Sequence, residues 1–120
     1  MKYDEIKKTL AVLDNPVDKL EFVMDLGKTL EPIPDDAICN EIMGCVSFVK
    51  ICQKENKFYA MADSAMVRGI VAIFMAMVDG KNKEEIKNMN MESEFKELNL
   101  NFGASRLNGI NSMIRFFRNL

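Results

Sequence analysis

The sequence predicts an α+β fold, a small antiparallel β-sheet flanked by helices, from two observations. Apolar residues recur at helical spacing toward both ends of the chain, whereas β-branched and aromatic residues collect between Ala37 and Met61. The 120 residues, 48% apolar and 28% charged, suit a single domain spanning 1–120 with one hydrophobic core and are too few for a second.

The first helix is expected over Asp4 to Leu13, with Ile6, Leu10 and Leu13 on one face. Asn15-Pro16 interrupts it, and a second helix runs from Val17 to about Thr29, carrying Leu20, Val23, Met24 and Leu26 at helical spacing. Pro32 and Pro34 each lack a backbone donor and disfavour helix in the residue before them, so Glu31 to Asp36 is an extended linker. Ile38, Val46, Phe48, Val49, Ile51, Phe58 and Tyr59 then read as strand residues, with Glu55-Asn56-Lys57 as a hairpin turn.

Helix returns over Ala65 to Val78 and stops at Asp79-Gly80, and Asp63 is the expected cap at its start. Asn82 with Glu85 three residues on resembles a capping box opening a short helix through Ile86. A further amphipathic stretch covers Met91 to Leu98. The last helix begins near Ser105 and presents Ile110, Met113, Ile114 and Phe117 to the core.

Charge and composition exclude several classes. A net charge of -2 offers no broad cationic surface, so nucleic acid is not an expected partner. The most apolar segment, Ala65 to Val78, is 14 residues long and interrupted by Arg68 and Gly69. A membrane span needs roughly 20 apolar residues, so this segment reads as a buried helix. Met1 to Leu10 mixes charged with apolar residues and has no signal-peptide order, which makes the expected compartment cytoplasmic. Three cysteines, an odd number in such a chain, argue for reduced thiols and against a disulfide framework.

The chain has no histidine, so cysteine is the side chain whose pKa lies near enough to neutrality to supply a nucleophile unaided. Five residues separate Cys39 from Cys45 and six separate Cys45 from Cys52, unlike the short CxxC steps of zinc sites. In a straight strand Cys39 and Cys45 would share a face and Cys52 would point away. If the chain reverses at Gly44-Cys45, Cys39 and Cys52 become cross-strand neighbours and Cys45 sits alone at the tip, a tight conformation that a preceding glycine favours. The plainer reading of Cys39 and Cys52 is as small buried hydrophobes.

Gly44-Cys45-Val46-Ser47, Ala62-Asp63-Ser64-Ala65-Met66-Val67-Arg68-Gly69 and Ser105-Arg106-Leu107-Asn108-Gly109 resemble, in order, three blocks of the SufE family of sulfur acceptors. Leu26-Gly27-Lys28-Thr29-Leu30 with Pro32 and Pro34 is similar to that family's leader block, so the resemblance covers almost the whole chain. It implies a fold shared with IscU-like scaffolds and a sulfur-carrier role rather than an enzyme's. Sulfur would pass from the persulfide of a SufS-like, pyridoxal-phosphate cysteine desulfurase, whose turnover the carrier stimulates, to a SufBCD-like iron–sulfur scaffold. The family's acceptor follows glycine in the Gly-Cys-x-Ser block, which assigns that part to Cys45, with Gly44, Ser47, Asp63 and Arg106 as supporting loop or partner contacts. No cofactor and no metal are expected. For Arg106 a purely structural bond to backbone carbonyls stands beside the functional reading. The chain departs from the family's usual pattern at Phe48-Val49-Lys50 after Ser47 and at Gly103-Ala104 before Ser105.

Two other classes stand beside the carrier. One is an IscU-like metal or iron–sulfur scaffold using Cys39, Cys45 and Cys52, which needs the three sulfurs to converge and a fourth ligand; the other is an interaction domain with inert cysteines.

Overall fold

A computed structural model describes residues 1–120 as six helices and a three-stranded antiparallel sheet, the α+β architecture expected from the sequence. The chain begins with α1 (Tyr3–Val12) and α2 (Pro16–Gly27), the latter opened by Asn15, whose side chain accepts from the Val17 amide, and by proline in the first turn. After the proline-containing linker come β1 (Ile38–Glu41), β2 (Val49–Lys54) and β3 (Lys57–Ala62), hydrogen-bonded in that order. The tight turn between β2 and β3 places Glu55 at φ 56°, the left-handed region.

Helix α3 (Ala65–Val78) has the bounds its apolar run predicts. It packs against α2 and β3, burying Ile70, Val71, Ile73, Phe74, Met77 and Val78. The crossing with α2 is close because Gly69 has no side chain: a Cβ there would lie 2.0 Å from the Val23 carbonyl oxygen. Two short helices follow, α4 (Lys83–Lys87), with the Asn82–Glu85 capping box formed in both directions, and α5 (Met91–Glu97). Helix α6 (Ala104–Arg118) closes the structure with Ile110, Met113, Ile114 and Phe117 buried. Phe117 ties three elements together, its ring 5.8 Å from Phe74 of α3 and 5.4 Å from Phe58 of β3. One cluster of 24 buried apolar residues runs through all of this. No helix is long and apolar enough to cross a membrane.

Three local expectations are corrected. Val46 and Phe48 belong to the loop between β1 and β2, not to a strand, and both are exposed. Ser64, not Asp63, caps α3, accepting from the Val67 amide at 3.3 Å, because it sits at the residue adjoining the helix in extended geometry and its hydroxyl reaches the third amide. Cys39 and Cys52 are joined in a disulfide, against the expectation of reduced thiols, and Cys39 is exposed, not buried. The reason is register: the two residues are direct partners on β1 and β2, with Cα atoms 3.9 Å apart.

Candidate functional site at the Cys45 loop

The loop from Met43 to Phe48 joins β1 to β2, and its neck is closed by two backbone bonds. The Ile42 amide donates to the Val49 carbonyl at 2.8 Å, and the Asp63 amide donates to the Phe48 carbonyl at 3.2 Å. Gly44 takes φ 88°, a conformation that side chains rarely adopt, and this bend directs Cys45 back onto α6. The chain reversal expected from Gly44-Cys45 is therefore present, with Cys39 opposite Cys52 and Cys45 the free thiol between them.

Cys45 is half-buried rather than fully displayed. It lies against Gly109 of α6, where a Cβ would approach the sulfur to 3.0 Å. Beside the thiol is a cavity of about 150 Å³ whose wall brings together Cys45, Ser47 and Arg106 with Val46, Val67 and Met113. Burial pushes the Cys45 thiol above its ordinary pKa. In this tucked position burial disfavours the thiolate, the nucleophilic form, and more water around the sulfur would favour it.

The supporting residues divide. Ser47 and Arg106 share the cavity with the thiol, and Arg106, on the exposed first turn of α6, also donates to the Phe102 carbonyl at 3.5 Å, the backbone bond of the structural reading. Gly44 shapes the loop. Asp63 touches the site through its backbone, at the loop neck, and its exposed carboxylate makes no hydrogen bond or ion pair. Arg68, in the same block as Asp63, is structural: its guanidinium donates to the carbonyls of Ala62 and Asp63 and secures the turn into α3. Val46 borders the cavity as cover for the thiol, but Met43 and Phe48 do not.

Sequence reasoning missed part of the bed beneath the loop. Ser112 donates to the Asn108 carbonyl at 3.1 Å and accepts from Arg115 at 2.9 Å, and its hydroxyl occupies the space that a side chain at position 44 would need, 2.7 Å from a Cβ there. Gly109, by lacking a side chain, gives room to Cys45. A mid-helix serine carries no local signal of such a role; only the docking of the loop creates it. The IscU-like ligand set is not assembled, since Cys39 and Cys52 bond to each other and no group of three or more ligating side chains converges anywhere.

A family model for SufE, described as an Fe-S metabolism associated domain, matches residues 4–120. The chain belongs to the SufE family. Among its relatives, an uncharacterized SufE-like protein of Rhizobium meliloti is 32% identical, the alignment covering 93% of this chain and 89% of that protein. A second, from Rhizobium etli, is 32% identical over 96% of this chain and 86% of the relative. The sulfur acceptor protein CsdE of Escherichia coli is 31% identical over 92% of this chain and 81% of its own length. Membership in SufE agrees with the order of the blocks around Cys45, Asp63 and Arg106 along the sequence.

Proposed function

We propose that this SufE-family chain is a sulfur carrier that takes sulfane sulfur from a cysteine desulfurase as a persulfide on Cys45 and delivers it for iron–sulfur cluster assembly, to a scaffold of the SufBCD kind. The observation that carries the reading is the setting of Cys45: a free thiol on a two-stranded hairpin loop, resting beside a cavity larger than the thiol needs. The kinship with a named sulfur acceptor supports the same direction.

In the transfer the Cys45 thiolate attacks the outer sulfur of the desulfurase persulfide. A new bond forms between Cys45 and that sulfur, the old sulfur–sulfur bond breaks, and the desulfurase cysteine leaves as a thiolate. The sulfane sulfur keeps its oxidation state, so no external reductant enters. The sulfur rests half-buried against Gly109 of α6, so the loop lifts to present it to a partner, and the added water favours the thiolate that burial disfavours. Met43 and Val46 on the loop and Leu107 on the adjoining turn of α6, all more than half exposed, give that partner an apolar contact around the sulfur, and Arg106 adds a cation. When the loop returns, the cavity of about 150 Å³, walled by Val67 and Met113 and by Ser64, Ser105 and Arg106, has room for the second sulfur. Seated there, the persulfide is kept from other thiols and oxidants.

The test is intact mass spectrometry after incubation with a cysteine desulfurase and cysteine. A gain of one sulfur mapped to Cys45, with faster sulfide release by the desulfurase, is the expected result. A correctly folded protein that neither gains sulfur nor stimulates any desulfurase contradicts the proposal.

A further inference from the structure

The Cys45 loop lies inside a covalent ring that the acceptor reading does not use. Cys39 on β1 and Cys52 on β2 are bonded, and the segment between them, 13 positions from one cysteine to the other, contains the whole loop and its neck. The two sulfurs differ in access: Cys39 is exposed, whereas Cys52 is fully buried. Strand β1 is an edge strand with all four residues exposed, and its partner in the sheet is β2 alone.

A bond placed there adds nothing to the packing of the core. The 24-residue core is built without Cys39, and the bond joins two strands already paired by backbone hydrogen bonds. What it restrains is peeling of the edge strand. A loop can lift either by opening its own neck or by taking part of β1 with it, and the cross-link removes the second route. Reduction restores that freedom, since a cross-link acts chiefly by limiting the conformations open to the segment it encloses.

We propose that Cys39 and Cys52 form a reversible dithiol–disulfide site, exchanging with a dithiol partner, that sets how readily the Cys45 loop opens. The chemistry balances without another reactant. A thiolate of the dithiol attacks the exposed Cys39 sulfur, the bond to Cys52 breaks, and Cys52 leaves and takes up a proton. The second thiol of the partner then attacks its own sulfur in the mixed disulfide and releases Cys39, so the pair gains two electrons and two protons and the partner becomes a disulfide; oxidation runs the same steps backwards. In the oxidised protein the loop is held close to α6, and in the reduced protein Cys45 is reached more often. The biological consequence rests on the acceptor reading of Cys45, but the accessibility change does not.

The test uses the full chain with dithiothreitol as the dithiol and iodoacetamide as the thiol probe, labelling read at each cysteine by mass spectrometry. Air-oxidised protein is expected to lack two hydrogens, to leave Cys39 and Cys52 unlabelled and to label Cys45 slowly. After reduction and removal of the reductant, Cys45 is expected to label about fivefold faster or more, the lower end of ordinary coupling between two sites. Cys39→Ser, which cannot form the bond, should show the fast rate with or without reductant, and a denaturation midpoint equal to that of reduced wild-type protein would exclude loosening beyond loss of the bond. Equal Cys45 rates in the two redox states would overturn the proposal, as would free Cys39 and Cys52 in protein held under air. Loss of sulfur loading with the redox-dependent rate intact would instead strike the acceptor reading alone.

Discussion

Gly69 of α3 and Gly109 of α6 each face another element across a helix surface, and they do opposite work. Gly69 lets two helices approach until backbone meets backbone, and the residues around it, Val23, Ile70 and Val71, are closed to water. Gly109 lets a loop cysteine settle on a helix, and beside it is a cavity, a cation and exposed apolar side chains. The same absence of a Cβ closes a helix crossing in one region and seats a loop cysteine in the other. Where packing is complete, a change should be felt by the whole fold; beside the cavity, where packing is incomplete, a change should be felt chiefly by the sulfur.

The largest effect that would test this division is in the core. Phe117→Ala removes the ring that joins α3, β3 and α6 and should cost about 3–5 kcal/mol in urea denaturation. Retention of wild-type stability would show that the α6 contact is loose and that the core side has been misjudged. Next, Gly69→Ala drives a methyl into the Val23 carbonyl and should destabilise by about 1–3 kcal/mol or prevent folding.

Gly109→Ala is the matched change on the other side. Alanine favours helix over glycine by about 1 kcal/mol, which offsets the mild crowding, so the denaturation midpoint should move little. Cys45 should be displaced toward water and label faster with iodoacetamide. Equal loss of stability in the two glycine variants would erase the distinction drawn between the regions.

How much of this was legible in the sequence follows the same line. The bounds of α3, the Asn82–Glu85 box and the buried stripe of α6 emerge from periodicity and capping, which act over a few residues. Gly44-Cys45 as a reversal was readable too, since a left-handed bend favours glycine. The expectation failed where tertiary contact decides. Val46 and Phe48 have strand-forming side chains, yet the loop's docking on α6 holds them outside the ladder. Cys39 and Cys52 were readable as neighbours but not as a bonded pair, because odd cysteine number argues only on average. Ser112 and Gly109 acquire their roles from a segment more than sixty residues away in sequence, beyond any local pattern.

Acidity gives a finer probe. With its thiol pKa raised by burial, folded Cys45 binds its proton more tightly than the unfolded chain does, so labelling should go on rising with pH above the ordinary thiol value of about 8.5. Stability should be unaffected by this group below that value and should fall as pH climbs through the raised one. Cys45→Ser abolishes that part of the alkaline loss; an identical profile in the variant would refute the assignment. The smallest effect on folding is expected from Arg106→Ala, within about 0.5 kcal/mol because the side chain is exposed, while sulfur acceptance drops. Loss of transfer merely in proportion to unfolded protein would return Arg106 to a structural role.

The central claim is that Cys45 alone carries the sulfur, and the direct measurement is the mass of wild-type, Cys39→Ser, Cys45→Ser and Cys52→Ser proteins after exposure to a cysteine desulfurase and cysteine, each paired with its denaturation midpoint. Cys45→Ser should fold with a near-unchanged midpoint and gain no sulfur, whereas Cys39→Ser and Cys52→Ser should still load, each losing up to about 3 kcal/mol with the cross-link and Cys52→Ser about 1–3 kcal/mol more if its buried hydroxyl lacks a partner. Sulfur loading that survives in folded Cys45→Ser would contradict the account.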